Sequence, residues 1–282
     1  MTSNHHRFFF IVLFLVFGIT FGVQAKEKES VYDRVMRTGV VRAAYAMNPP
    51  VFMKDPNTGE LKGIFYEAVN KAFANAGIKV EWTEEIGWGV FPETLKSDRC
   101  DIIGCGVWNT PARAKACDFS TPLFFSPLGV WVRTDDHRFD KDFSLINDPK
   151  ITCAVLDGEM SSYIARNQFP KAKVCELPQL SDISQNLQNV LTKKGDVTFV
   201  EAAVAYNFSK QNAGKLRNIA EKKPFRVFGN SVMLKHGEPA FKNMVDLLFS
   251  DLINTGFVDE LIRKYEPFPG AYYHVAPQYQ MP

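Results

Sequence analysis

The chain has 282 residues, of which 46% are hydrophobic and 23% charged, a balance that suits a folded globular protein and excludes a disordered one. Lys+Arg (33) against Asp+Glu (31) leaves a net charge of +2 with no basic block, which argues against a nucleic-acid binder. A single long apolar run, residues 8–23, excludes a polytopic membrane protein. That run follows a short polar stretch containing Arg7 and is shorter than the roughly 20 residues a membrane span needs. Val23-Gln24-Ala25 then supplies small residues where a signal peptidase reads, before the charged Lys26-Glu27-Lys28-Glu29. The expectation is a cleaved secretory signal over 1–25, with an uncleaved anchor as the alternative.

Strand-then-helix units follow in order. Residues 40–44 read as a strand that ends in a proline-marked loop, Met47-Asn48-Pro49-Pro50. Residues 55–59 form a turn, and 64–76 carry apolar residues at helical spacing up to the stop signal Gly77. Strands are expected at 78–82, 101–107 and 128–132, with a helix starting at Thr110-Pro111. The polar stretch 135–150 separates a second set: strand 151–156, helix 161–168, strand 173–177, helix 183–192 and strand 197–200. An apolar stretch at 225–233 precedes helices at 240–253 and 258–264, and a Pro- and Tyr-rich tail, 267–282, closes the chain. Alternation of this kind implies an α/β architecture of mostly parallel sheets, here in two lobes, with ligands expected at the carboxyl ends of the strands.

Five cysteines (Cys100, Cys105, Cys117, Cys153 and Cys175) in an exported chain raise the question of disulfides. Cys153 and Cys175 lie in two strand-like runs and would be neighbours if those strands pair; the alternative is that they are small buried apolar residues. There is no CxxC spacing, and His137, His236 and His274 stand alone, so no metal site is indicated.

Three stretches could carry chemistry. In Trp108-Asn109-Thr110-Pro111-Ala112-Arg113, Thr-Pro reads as a helix cap and first turn, which puts Arg113 at a helix N-terminus. A cation is unfavourable there unless guanidinium and helix end hold an anion together; the alternative is a solvent-facing Arg paired with Asp118. In Asp157-Gly158-Glu159-Met160-Ser161 a strand ends at another helix start, whose positive end Glu159 could occupy itself. Glu201 closes the strand at 197–200; by sequence alone, a solvated residue in the next helix's first turn is the favoured reading. Tyr45, Phe52, Trp88 and Trp108 are loop aromatics, a type more often core than cleft. No nucleophile elbow, phosphate loop or dinucleotide fingerprint supports enzyme chemistry.

Taken together these residues resemble the bacterial family 3 extracellular solute-binding proteins, the amino-acid-type receptors of ABC importers. The likeness runs from Val35-Met36-Arg37-Thr38-Gly39-Val40 through Pro49-Pro50-Val51-Phe52 and Gly59-Glu60-Leu61-Lys62-Gly63 to Trp88, Pro92 and Leu95. It is strongest over residues 101–113 with Asp118-Phe119-Ser120-Thr121-Pro122, and continues in Gly195-Asp196, Glu201 and residues 256–265. It implies a two-lobed type II periplasmic binding protein fold with the hinge crossed twice. The lobes would be 26–133 with 230–266, and 134–229, with crossings near 133–136 and 228–230.

By the same resemblance, Arg113 looks like the arginine that grips a ligand carboxylate, with Thr110 beside it. Glu201 falls where an Asp commonly receives the ammonium, and Tyr45, Phe52 and Trp88 match aromatic positions around the ligand. Two departures stand out: Gly158-Glu159 replaces a common Gly-Thr, and Trp108 replaces a small hydroxyl residue. Arg113 facing Glu159 and Glu201 would suit a polar or cationic amino acid. The implied protein is a periplasmic, monomeric, non-enzymatic receptor that needs no cofactor, delivers its solute to a membrane permease and binds no nucleic acid. The alternatives on the same scaffold are a sensor or partner protein, docking through the tail, and an enzyme similar to cyclohexadienyl and arogenate dehydratases.

Overall fold

Helix α1, Val31–Thr38, is the first element of the computed structural model, which describes residues 29–275, so the signal expected over 1–25 and the tail's last part, 276–282, lie outside the described residues. Ser30 caps this helix by accepting the amide of Asp33, and Gly39 ends it with φ 66°. Strand β1, Val40–Tyr45, comes next, then the hairpin of β2, Met53–Lys54, and β3, Leu61–Lys62. The Asp55 carboxylate organises its turn by accepting the amides of Asn57 and Thr58. Helix α2, Ile64–Asn75, buries Ile64, Phe65, Ala68, Val69, Ala72 and Phe73, one face at helical spacing. Strand β4, Lys79–Glu85, helix α3, Phe91–Lys96, strand β5, Ile102–Trp108, and the short β6, Cys117–Phe119, complete the first set.

The second set opens on β7, Phe124–Arg133, and continues with β8, Thr152–Leu156, helix α4, Met160–Gln168, and β9, Lys173–Leu177. Helix α5, Gln185–Leu191, β10, Val197–Glu201, helix α6, Ala202–Gln211, and β11, Leu216–Asn218, follow. Strand β12, Arg226–Lys235, helices α7, Pro239–Asn254, and α8, Phe257–Tyr265, and the two-residue β13, Tyr273–His274, end the described chain.

The main path of the large sheet runs β4-β1-β5-β12-β7-β10-β8-β9. β1 is parallel to β4 and β5, and β8 is parallel to β9 and β10, so each lobe has its own parallel sheet. The antiparallel strands β12 and β7 join them: Arg226 to Asn230 of β12 pair with β7, and Asn230 to Leu234 pair with β5. In the second lobe alternate residues serve opposite faces. Cys153, Val155, Val197 and Phe199 join one apolar cluster, and Ala154, Leu156 and Val200 the other.

Several expectations need adjustment. β12 changes partner from β7 to β5 at Asn230, and β7 pairs with β12 up to Leu128 and with β10 from Leu128 to Val132. The helix expected at Thr110-Pro111 is only a 3-10 turn, Arg113–Lys115, because the chain enters β6 two residues later. Residues 267–275 belong to the body of the fold: Tyr272 is buried against Phe124, and Tyr273 pairs with Phe125. β8 and β9 do pair, but Cys175 lies opposite Ala154 and Cys153 opposite Val174, which turns the two thiols to opposite faces. All five cysteines are free; burial pushes the thiols of Cys100, Cys105 and Cys153 up to about 12.

One buried carboxylate ties the first lobe together. Asp101, at the start of β5, accepts from the guanidinium groups of Arg34 on α1 and Arg42 on β1, and from the Arg42 amide at 2.7 Å. Its side chain is 1% exposed, so removing it strands two partly buried cations. Asp101→Ala is expected to lower unfolding free energy by about 3 kcal/mol, read from the midpoint of urea denaturation.

Candidate functional site

The carboxyl ends of four strands converge between the lobes. β1 leads into Asn48 and β5 into Trp108 and the turn of Arg113, while β8 leads into Gly158-Glu159 and β10 ends on Glu201. Around their junction lies a small cavity of about 20 Å³. Asn48, Trp88, Trp108 and Arg113 line it from the first lobe; Glu159, Met160, Ile183, Phe199 and Glu201 line it from the second. It offers roughly the room of one water, too little for an amino acid with the lobes as they stand. Two larger clefts, about 440 and 400 Å³, open beside it between Pro49 and Met53 on one side and Asp182 on the other.

Arg113 reaches this cavity without a helix to carry it. The Thr110 hydroxyl accepts the Arg113 amide at 3.3 Å, and the Thr110 carbonyl accepts the amide of Ala114, which together fold the turn. The guanidinium then donates to the carbonyls of Trp108 and of Gly158, each at 3.3 Å, the second contact crossing between lobes. Two neutral carbonyls are weak partners for a buried cation that prefers carboxylates. Burial pulls the guanidinium below its ordinary pKa, with the nearby Glu159 charge working the other way. The solvent-facing pairing with Asp118 does not occur, since Asp118 accepts from the Gly237 amide and stands 3.1 Å from His236.

Both carboxylates are out of water. Glu159 caps α4, its Oε2 accepting the Ser161 amide at 2.7 Å and the Ser161 hydroxyl at 2.6 Å. It therefore serves the helix and lines the cavity at once, and burial still raises its pKa. Glu201 is 5% exposed, which overturns the solvated reading: β10 ends on it at the sheet's inner end, so its side chain turns into the cavity. Its Oε2 is buried and has no hydrogen-bond partner. Desolvation, helped by the Glu159 charge, pushes the Glu201 carboxyl up to about 8, with Ser126 and Trp108 only partly offsetting it. The polar floor continues behind it. Trp108 donates its indole N–H to Asn230 at 3.1 Å, and Asn230 donates to the Ser126 hydroxyl at 2.8 Å.

Of the residues singled out from sequence, Arg113, Trp108, Trp88, Glu159 and Glu201 meet at this cavity. Gly158 adjoins it through its carbonyl, and Thr110 supports the turn from outside. Tyr45 and Phe52 are not brought to it. Their rings stack at 4.8 Å and pack on Trp82 in the first lobe's core, because β1 and the 47–52 loop turn both inward. Asn48, Met160, Ile183, Phe199 and Val204 also line the cavity and escaped notice. Asn48, three residues beyond the carboxyl end of β1, carried the one usable signal.

Among solved structures, the cysteine-binding protein from Campylobacter jejuni matches at 21% identity and TM-score 0.71, covering 85% of this chain and 94% of that one. A putative binding component of an ABC transporter from Wolinella succinogenes, complexed with lysine, matches at 20% identity and TM-score 0.70, covering 82% and 97%. The ancestral amino acid-binding protein AncCDT-1, a precursor of cyclohexadienyl dehydratase, matches at 24% identity and TM-score 0.70, covering 84% and 100%. These likenesses establish the two-lobed fold. A curated relative from Haemophilus influenzae, "Probable amino-acid ABC transporter-binding protein", is 23% identical over 191 residues, 67% of this chain and 70% of that protein. The model of the bacterial extracellular solute-binding proteins, family 3, matches residues 41–268, and the chain belongs to that family.

Proposed function

We propose that this chain is the periplasmic receptor of an ABC importer, exported by the cleaved segment 1–25. It takes a small amino-acid-type solute, polar or cationic, between its lobes and presents it to a membrane permease. The observation that carries this reading is the meeting of one partly buried guanidinium and two buried carboxylates, supplied by opposite lobes, at a single interlobal cavity. Arg113 would exchange its two carbonyl contacts for a bidentate pair with the ligand carboxylate. Glu201, aided by Glu159, would receive the ammonium, with Trp88 and Trp108 as flanking aromatic faces. The closed cavity admits such a ligand only if the lobes part, and β7 with β12 supply the two connections about which they would turn. We place the lobe boundaries within these strands.

Binding would be linked to protons. Glu201 holds its proton up to about 8 in the closed site, and pairing with an ammonium requires it to ionise. Uptake of an amino acid below that pH therefore releases a proton, and affinity rises with pH until about 8.

One observation favours a second reading. A carboxyl kept protonated near neutrality in a closed cavity is a competent general acid, as a dehydratase acting on arogenate would need. Turnover of arogenate by the purified protein would establish it; binding of amino acids without turnover would dismiss it.

Titration calorimetry against a panel of amino acids, in two buffers of different ionisation enthalpy, tests the receptor. The expected result is binding of at least one polar or cationic amino acid with proton release, and about 100-fold weaker binding by Arg113→Ala. No binding across the panel would overturn the reading.

Stability gives an independent check on Glu201. Its folded pKa lies above the ordinary 4.5, so the folded state retains a proton that the unfolded chain gives up. Wild-type stability should therefore fall as pH rises from about 4.5 to about 8, by at most about 1.4 kcal/mol per pH unit. Glu201→Gln removes that proton, and its urea midpoints at pH 5 and pH 8 should lie closer together than those of the wild type.

A further inference from the structure

Beside the cavity, a second contact crosses between the lobes. Gln179 follows β9 and donates from Nε2 to the Asp157 carboxylate at 2.8 Å, which fixes its amide plane. Its Oε1 accepts the backbone N–H of Gly89 at 3.0 Å. Gly89 belongs to the turn Trp88–Val90, next to Trp88 of the cavity wall, and Asp157 directly precedes Gly158 and Glu159. One side chain thus links the rims of both halves of the site.

The glycines on either side of Trp88 show that the contact is built for closeness. Gly87 has φ −73°, and neither Gly87 nor Gly89 takes a positive φ, so both backbones could accept any residue. A side chain at either position would instead have to displace Gln179. A Cβ on Gly89 would lie 2.7 Å from Gln179 Nε2 and 3.0 Å from its Cδ and Oε1. A Cβ on Gly87 would lie 2.5 Å from Gln179 Oε1 and 2.8 Å from its Cβ. Gly158 approaches from the other lobe as well, where an added Cβ would lie 2.3 Å from the Gly89 nitrogen. Three glycines and one glutamine therefore meet closely across the gap between the lobes.

We propose that Gln179 is a closure latch: its bond to the Gly89 amide, seated on the Gly87–Gly89 platform, sets the balance between shut and parted lobes. The latch rests on the two-lobed receptor reading, but its test uses no ligand. A failure to find any binding amino acid would remove the receptor and leave the latch standing, and the reverse also holds.

The test compares full-length mature wild type with Gln179→Ala, Gly89→Ala, the Gln179→Ala/Gly89→Ala double variant and Gly87→Ala, each alone in buffer. Hydrogen exchange reads the amide of residue 89, and small-angle scattering reads the radius of gyration. Losing one interlobal hydrogen bond should speed exchange of that amide roughly three- to tenfold and enlarge the radius. Gly89→Ala should do the same by displacing the glutamine amide, and the double variant should be no worse than either single change, because both remove one contact. Gly87→Ala should part the lobes even when Gln179→Ala is added, since its clash with the Cβ at position 179 survives. A merely structural Gln179 would lower the melting temperature without moving the residue-89 amide or the radius. Unchanged exchange and radius in Gln179→Ala, or additive effects of Gln179→Ala and Gly89→Ala, would overturn the latch.

Discussion

The constraint on which this molecule turns is the burial of a guanidinium with two carboxylates between two lobes. Charges leave water at a large cost unless opposite charges or hydrogen bonds replace the solvent. Here the replacement is incomplete. Arg113 finds two carbonyls at 3.3 Å, and Glu201 keeps a buried oxygen without a partner. Glu159 is better served by its own helix, yet burial still outweighs the two donors of Ser161. Arg113 and Glu201 are thus left short of the partners that their burial calls for.

The fold meets this constraint through the direction of its strands. Parallel strands present their carboxyl ends on one side, so β1 and β5 in one lobe and β8 and β10 in the other can aim four loop starts at one point. The two antiparallel connecting strands also furnish the site's floor, since Ser126 lies on β7 and Asn230 on β12, and Asn230 bonds to Trp108 at the end of β5. The same β7 carries β13 on its edge, with Tyr272 packed beneath. The strands that join the lobes and the hydrogen bonds under the cavity are therefore the same residues, with no intervening chain of contacts between them.

Much of this was legible because periodicity and strand-end chemistry are local properties. The helical spacing from Ile64 to Phe73 and the apolar runs of β8 and β10 declare themselves, as each buries a face of its own lobe. Helix α1 went unread although Ser30 and Gly39 mark both its ends, because only Val31 and Val35 of its face are buried. The turn after Thr110 was overread: Thr-Pro opens helices, but the strand β6 that follows needs its residues for pairing with β12. Tyr45 and Phe52 illustrate the limit of analogy, since an aromatic at a cleft-like sequence position can rotate into a neighbouring aromatic cluster instead. Glu201 lay at the opposite extreme. Its solvation is decided by β7, on the other side of β10, and nothing adjacent in sequence reports it.

Glu159 gives the site its polarity. At the start of a helix on the second lobe, a hydroxyl residue would add a donor toward an anionic group; a carboxylate there presents an acceptor instead and satisfies α4 internally through Ser161. That leaves Arg113 as the cation lining the cavity, against two carboxyl groups that each raise the cost of ionising the other. Trp108, stacked on Phe228 at 4.5 Å, walls off the side from which water could share that charge. Glu201 keeps its proton up to about 8, so below that pH the Arg113 cation faces at most one ionised carboxylate, and only above it can both acids be charged together.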